Sequence, residues 1–490
     1  KCQQVFGIGY PSAFPEEDFD ILEKQFGGVW APYYTYQKLM QGLLDTYERT
    51  KNGKAYEMVV NMANYVDSRM AKLDSITIEK MLYTTEANPQ NEPGAMNEVL
   101  YKLYKITGNP KHLALARLFD RNWFLTPLSQ NKDILSGLHA NTHIVLVNGF
   151  SQGYSVNHDT KYLSAVSNFW DILMDRHVYI NGSSSGPRPI VTTPTSLSAE
   201  HWGNPGILSN TLSKEIGESC VSHNTQKLTQ TLLTWTGDPK YADAYMNTFY
   251  NSIMALQSAS SGRCIYHLPL GSPRRKIFLK NNDFRCCNGS TIEAFGLLNS
   301  GIYFHNDTSL FVNMYIPSEV NWASQSIKLT QRGDFPTDST VYFLMTLKKK
   351  TKLSLNLFIP EWSEATEIYV NGMKQNIKVQ PSSYATLNRR WNNGDKIKIV
   401  FRYKFHIKSM PDNRNVVALY YGPMLLAFEC KSEVILRSTE NDIIKHITTL
   451  PTKTGKLVVI LNDNDKTYQL RPLSDIDEQT YGVYATLRDY

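Results

Sequence analysis

The spacing of apolar positions divides the chain into a helical part and a strand-rich part. Up to about residue 300, apolar residues recur at helical spacing behind short segments in which a turn with Gly, Asn or Asp is followed by a basic residue. Such turns stand at 52–56, 107–111, 158–162 and 236–241. These turns recur roughly every 50 to 80 residues, which predicts stacked helical hairpins. Hairpins of this kind either extend as a solenoid or close into a toroid, and the pattern alone leaves both open.

Beyond about residue 304 the pattern changes to short strands. Apolar runs such as STVYFLMTL and KIKIVFRYKF alternate with turn signals such as Asn371-Gly372. Short strands separated by turns about every ten residues are typical of β-sandwich modules. The segment from about 406 is also β-rich. We therefore predict an α-then-β chain with a helical domain at 1–304, a β-sandwich at 305–405, and a β-rich segment or second β-sandwich at 406–490.

Composition narrows the class of protein. Hydrophobic residues make up 42% of the chain and charged residues 20%, as in ordinary soluble globular proteins. The net charge of +6 is spread thinly, and the short basic clusters at 273–276 and 348–350 are expected to be solvated, which argues against a nucleic-acid partner. No apolar run approaches the ~18 residues of a membrane-spanning helix, so we predict no membrane partner.

The cysteines are the most informative residues. Six in 490 are too few for a disulfide framework, and the adjacent Cys286 and Cys287 are poorly placed to bond each other. With Cys220 and Glu218 they supply three thiolates and one carboxylate, a set suited to four-coordinate Zn²⁺. Buried free thiols beside a glutamate at a helix start remain the alternative.

Both halves of this set are predicted at helix starts. Glu218 and Cys220 lie two apart before the helical run VSHNTQKLTQTLLTW, so in extended chain they point the same way. Cys286 and Cys287 precede a helix expected to begin at the capping box Ser-Thr-Ile-Glu, residues 290–293. A helix N-terminus favours ionised thiolates and carboxylates.

Two further groups are candidates for acid–base chemistry or ligand contact. Glu200 stands before His201 and Trp202, and an apolar setting would raise its pKa and suit a general acid, although a surface glutamate is the commoner case. His139 and His143 are four residues apart and lie on one face if this stretch is helical. The alternatives for this pair are metal ligands, hydrogen-bonding partners of a sugar, or packed helix histidines.

Aromatic side chains are the candidate stacking surfaces for a sugar. Aromatics make up 12% of the chain, and Trp30 and Tyr34 lie in an aromatic cluster that enters a helix. Trp202, beside Glu200, is a third candidate. Packing between helical hairpins is the alternative for Trp30 and Tyr34.

The combination of these motifs resembles a known family. The segments AEHWGNPGILSNTLSKEIGESC, TWTGDPKYADAYMNTFYNSI, IYHLPLGS and CCNGSTIEAFGLLNSGIYF resemble the β-L-arabinofuranosidases of glycoside hydrolase family 127 and close relatives. WAPYYTYQKLMQGLLDTY, HANTHI and PSAFPEE fit the same pattern, from the first residues to about 430. The resemblance implies an (α/α)6 toroid followed by β-sandwich domains. Since about four hairpins are recognisable, N-terminal helices of that toroid are expected to be missing from this sequence.

The resemblance also implies roles for individual residues. It places the zinc ligands at Glu218, Cys220, Cys286 and Cys287. The nucleophile would be Cys286 and the general acid/base Glu200, with His139 and His143 in the stretch that lines the sugar pocket. The implied mechanism is double displacement through a thioglycosyl intermediate, with retention of configuration.

The sequence thus predicts a zinc-dependent retaining glycoside hydrolase that releases β-linked L-arabinofuranose from plant-type oligosaccharides or polysaccharides. The alternatives are the same fold and mechanism on another sugar, or a non-catalytic glycan-binding homologue. A lyase would have no use for three cysteines around a glutamate. Gln37 stands where many relatives carry histidine, and Thr192–Thr195 replaces a more glycine-rich turn. The oligomeric state stays open, and the family's habits suggest a periplasmic or secreted protein.

Overall fold

The computed structural model describes residues 3–4, 9–82, 93–187, 200–450, 456–464 and 466–488. Thr192–Thr195 lies outside the described residues. The chain forms two compact units, one of Lys1–Val178 with Ser184–Ile207 and the other of Tyr179–Ser183 with Leu208–Tyr490. The predicted domain boundaries at 304 and 405 stay predictions.

The first unit is helical. Its described helices are α1 Glu17–Gln25, α2 Pro32–Thr50, α3 Gly53–Met70, α4 Ser75–Leu82, α5 Met96–Thr107, α6 Pro110–Leu118, α7 Asn122–Ser129, α8 Ala140–Asn157 and α9 Thr160–Arg176. Apolar faces of α1 to α6 meet in one core that includes Phe19, Tyr36, Val66 and Tyr101. No helix in the described parts of the chain is both long and apolar enough to cross a membrane.

The predicted hairpin turns are present and share one construction. At each turn a residue in the left-handed region ends one helix, and the next residue caps the following helix. The left-handed residues are Lys51, Gly108, His158 and Gly237. The capping side chains, each accepting the backbone N–H two residues on at 2.9–3.1 Å, are Asn52, Asn109, Asp159 and Asp238. The helix starts at these turns are therefore confirmed.

The second unit begins with helices and continues as sheets. Its described helices are α10 Ser219–Thr236, α11 Pro239–Asn251, α12 Cys286–Gly296 and the short α13 Glu440–Ile443. Its described strands are β1 Tyr303–His305, β2 Ser309–Val312, β3 Ser318–Trp322, β4 Ile327–Arg332, β5 Thr340–Leu347, β6 Thr351–Ile359, β7 Glu367–Val370, β8 Met373–Lys374, β9 Ser383–Trp391, β10 Lys396–Val400, β11 Phe405–Ser409, β12 Val416–Tyr421, β13 Met424–Glu429, β14 Ile435–Leu436, β15 Ile447–Leu450, β16 Val458–Asp463, β17 Lys466–Pro472, β18 Tyr481–Gly482 and β19 Ala485–Leu487.

The strands form three sheets within the described residues. One has the order β1-β2-β6-β9 and a second the order β3-β4-β5-β10-β7-β8. The third contains the strands from β11 onward, with a core that includes Leu419, Phe428 and Leu470. The predicted order of helical part and β-rich part is confirmed, whereas closure of the helices into a toroid stays an expectation.

Candidate metal centre

Glu218 and Cys220 are held at the start of α10. Ser219 N–H donates to the Tyr266 carbonyl at 2.9 Å, and Leu268 N–H donates to the Gly217 carbonyl at 3.1 Å. This short antiparallel pairing fixes the chain just before the helix. Gly217 has φ +66°, and a Cβ there would lie 2.8 Å from Ser183 Oγ, so the turn requires glycine. The predicted placement of the Glu-Ser-Cys triplet at a helix entrance is confirmed.

Cys286 and Cys287 lie inside α12 rather than before it. The helix begins at Cys286, four residues earlier than expected, because Asn288 Oδ1 accepts the backbone N–H of Arg285 at 2.7 Å. Glu293, the expected capping-box residue, pairs instead with His223 at 3.2 Å. The prediction of the helix start was therefore wrong, and both cysteines occupy the first helical turn.

The four predicted ligands come together in the second unit. One ligand atom from each of Glu218, Cys220, Cys286 and Cys287 lies within 4.8 Å of the other three. Cys220 Sγ is 3.3 Å from Cys287 Sγ, which is 3.9 Å from both Cys286 Sγ and Glu218 Oε1. Ligand sulfurs in a tetrahedral zinc site are about 3.8 Å apart, given Zn–S bonds of about 2.3 Å. The donor set and its spacing fit a four-coordinate soft metal ion.

Burial and hydrogen bonding distribute the charge within this cluster. Glu218, Cys220 and Cys287 are buried, and Cys286 is the most accessible of the four. Hydrogen bonds from the Cys220 and Cys287 thiols hold the pKa of Cys286 well below its usual value. Hydrogen bonding to Cys286 raises the pKa of Cys220 well above its usual value, and burial does so for Cys287. Three thiolates together therefore require a cation among them.

Two neighbours of the cluster were missed by sequence reasoning. Tyr266 Oη lies 3.8 Å from Cys286 Sγ, and the Arg285 guanidinium lies 5.7 Å from the centre of the Tyr266 ring. Ser290 Oγ donates to Cys220 Sγ at 3.2 Å. Tyr266 belongs to the IYHLPLGS run, whose resemblance to the family was the available signal. Ser290 was assigned to a capping box instead.

Glu200 and His139 form a pair in the first unit. His139 caps α8, and its Nδ1 accepts the backbone N–H of Thr142 at 3.2 Å. Because Nδ1 is an acceptor, the proton of a neutral imidazole lies on Nε2, which donates to Glu200 Oε2 at 2.9 Å. The Glu200 carbonyl also accepts the Ala140 N–H at 2.8 Å. The arrangement orients one carboxylate oxygen of Glu200.

The other predicted substrate contacts differ in how exposed their side chains are. His143 is fully buried against Phe124, and burial holds its pKa well below the usual value. Trp202 is only 1% exposed, and its Nε1–H donates to Ser184 Oγ at 3.1 Å. Both placements favour packing over direct contact with a sugar. Trp30, by contrast, is 62% exposed.

Tyr34 and Gln37 lie near the start of α2. Tyr34 is partly exposed, with Lys38 Nζ 5.1 Å from its ring centre. The Gln37 side chain is buried. Of the predicted aromatic contacts, Trp30 and Tyr34 therefore keep ring surface that a ligand can reach.

Comparison with known proteins finds similar sequences and folds. A family model described as the β-L-arabinofuranosidase GH127 catalytic domain matches residues 1–299, and the GH127 middle-domain model matches residues 309–403. No curated protein matches the sequence.

Solved structures share the fold at low identity. A GH127 β-arabinofuranosidase has a TM-score of 0.71 at 18% identity, covering 93% of this chain and 77% of its own. A GH127 β-L-arabinofuranosidase from Geobacillus stearothermophilus T6 has a TM-score of 0.71 at 16% identity, with 97% and 82% covered. A structure described as a glycoside hydrolase has a TM-score of 0.70 at 17% identity, with 93% and 83% covered.

Proposed function

This chain belongs to the GH127 family of glycoside hydrolases, and on that premise we propose that it releases β-linked L-arabinofuranose from plant-type glycans with Cys286 as nucleophile. The observation that carries the proposal is the cluster of three cysteines and one glutamate, in which Cys286 is the most accessible thiol. A buried set of packed thiols would not need an accessible member with a lowered pKa.

We propose Zn²⁺ as the metal, held by Glu218, Cys220, Cys286 and Cys287. When bound, it would keep the thiols deprotonated at neutral pH. The thiolate-rich donor set favours zinc over the hard ions Mg²⁺ and Ca²⁺, which take oxygen ligands.

The chemical steps are assigned to two side chains. Glu200 gives its proton to the leaving glycosidic oxygen while Cys286 Sγ attacks the anomeric carbon, so the C–O bond breaks and a C–S bond forms. Glu200 then takes a proton from water, whose oxygen attacks the same carbon and displaces the sulfur. Two inversions retain the configuration.

Two further residues support these steps. His139 is a positioning residue, because its Nε2–H holds one oxygen of Glu200. The Tyr266 hydroxyl lies beside Cys286 and stabilises the sulfur when it carries negative charge.

The test compares hydrolysis of p-nitrophenyl β-L-arabinofuranoside by the wild type, Cys286→Ser and the control Cys430→Ser. Cys430 is a thiol outside the cluster. We expect about one zinc per wild-type chain, turnover with retention by NMR, and loss of turnover in Cys286→Ser alone. Zinc without turnover on any arabinofuranoside would overturn the choice of sugar. Absence of both metal and turnover would overturn the mechanism.

A further inference from the structure

The positive charge of the chain is concentrated in one β-rich segment. Residues 305–405 contain 14 Lys and Arg against 8 Asp and Glu, a net charge of +6. The rest of the chain contains 37 of each sign, so this segment accounts for the whole net charge of +6. About a fifth of the sequence therefore carries the entire excess of positive charge, which is not spread thinly along the chain as expected.

The second sheet places part of this charge in a row with tyrosines. Directly paired residues on the consecutive antiparallel strands β4, β5, β10, β7 and β8 are Arg332, Tyr342, Lys398, Tyr369 and Lys374. Paired residues of antiparallel strands point to the same face, so these five side chains form one row, here called the cation–tyrosine row. At about 4.8 Å per strand, the row spans roughly 19 Å.

This face of the sheet is open to solvent. Along β5, Val341, Phe343 and Met345 are buried, whereas the alternating Tyr342 is 53% and Leu344 40% exposed. Lys398 Nζ lies 4.1 Å from the centre of the Tyr369 ring, which fixes the amine over the sheet rather than out in solvent.

The cations of this face outnumber its carboxylates. Glu367 is shared by Lys374 at 2.7 Å and Arg402 at 3.1 Å, and Glu319 pairs with Lys328 at 2.8 Å. Among the described residues, Arg332, Lys396 and Lys398 have no carboxylate within ion-pair distance. Lys396 is paired with Leu344 and so lies next to the row. These positive charges have no carboxylate partner and lie beside flat aromatic rings. Such a surface is complementary to a polymer whose repeating units carry both a sugar ring and a negative charge.

We propose that the cation–tyrosine row is a docking surface for an anionic polysaccharide, one whose chain contains uronate sugars. Tyr342 and Tyr369 offer faces for sugar rings, and Arg332, Lys396 and Lys398 pair with their carboxylates. The choice of a polysaccharide over another polyanion rests on the proposed function, because a glycan is the polymer that this enzyme meets. Docking there would raise the local concentration of arabinose side chains carried on such a polymer.

The test measures binding of the whole chain to polygalacturonate, to neutral linear arabinan and to single-stranded RNA. The key variant is Tyr342→Ala/Lys398→Ala, and the control is Lys378→Ala, which removes one charge from an exposed loop of the same segment. We expect binding to polygalacturonate that weakens about tenfold in the double variant, weakens with salt, and is unchanged in the control.

Activity separates this inference from the proposed function. Both substituted side chains lie outside the metal centre, so the double variant should hydrolyse the small aryl arabinofuranoside as the wild type does. Binding is also measured with Cys286→Ser, which makes it independent of turnover. Equal binding by wild type and double variant, equal weakening in Lys378→Ala, or equal binding to arabinan would overturn the proposal. Preference for RNA would make the row a nucleic-acid surface.

Discussion

Cys286 depends on side chains that come to it from elsewhere in the chain. The residue types of Glu218, Cys220 and the vicinal pair suggested a ligand set but left buried free thiols as the alternative, and only the family resemblance favoured the ligand set. Tyr266 lies 20 positions before Cys286 and reaches it only through the pairing of residues 217–219 with 266–268. No local pattern encodes such a contact, so sequence reasoning could not supply it.

Replacing Tyr266 by phenylalanine tests its role beside the proposed nucleophile, Cys286. A hydrogen bond to a charged group contributes roughly 1.5–3 kcal/mol, so Tyr266→Phe should lower kcat about ten- to a hundredfold. Metal content should be unchanged, because the tyrosine is not among the four ligands. Tyr104→Phe, in α5, is the control and should keep full activity. A variant that loses zinc together with activity would show that Tyr266 supports the metal site instead.

Asp243 on α11 gives a prediction for the dependence of stability on pH. Its carboxylate accepts the Glu361 N–H at 2.8 Å and the Ser382 hydroxyl at 2.5 Å, and burial raises its pKa to about 7. Glu361 raises this pKa further, whereas Lys408 lowers it. Because the folded-state pKa exceeds the unfolded value near 3.8, the contribution to stability is complete below about pH 4 and is lost as pH rises through 7.

The measurement is the free energy of unfolding from pH 4 to 8 for the wild type and Asp243→Asn. Asparagine stays neutral and still accepts hydrogen bonds, so the variant should lack the decline, which is on the order of a few kcal/mol in the wild type. Asp175→Asn, an exposed carboxylate on α9, should keep it. The same decline in Asp243→Asn would assign it to other groups.

At the level of elements, local signals predicted the helix starts well where the cap lies in the turn itself. Asn52, Asn109, Asp159 and Asp238 lie in the predicted turns, and each caps the helix that follows. The start of α12 was misplaced because two alternative N-caps, Arg285 and Ser290, stand five residues apart. Tertiary partners decided between them, since Glu293 pairs with His223 and Ser290 with Cys220.

The cap of α11 gives a test at this scale. Asp238→Ala removes the acceptor of the Lys240 N–H and should lower the free energy of unfolding by about 1 kcal/mol. Urea unfolding measures the change. Glu48→Ala, at an exposed position of α2, should stay within about 0.5 kcal/mol of the wild type. A loss equally small in Asp238→Ala would mean that packing alone holds this helix start.

At the scale of the whole molecule, the change from helical to strand periodicity predicted the order of the two kinds of structure. It did not predict which strands pair. In the second sheet β10 lies between β5 and β7, and in the first β2 runs parallel to β6. Nor did it predict the pairing of His139 with Glu200, which are 61 positions apart. Long-range pairing depends on which surfaces are buried against each other. The periodicity of one segment contains no information about which other segment pairs with it.

The proposed zinc ion should stabilise the folded chain, because its four proposed ligands are far apart in the unfolded chain. Free zinc at about 100 times its dissociation constant would add roughly 2.7 kcal/mol to the free energy of unfolding. We therefore expect a chelator to lower the melting temperature and zinc to restore it. Cys287→Ser removes a buried ligand and should abolish the difference, whereas Cys430→Ser should keep it. The proposal would be contradicted if the melting temperature did not change with zinc, or if zinc still raised it in Cys287→Ser. Either result would mean that the ion does not bind at this cluster.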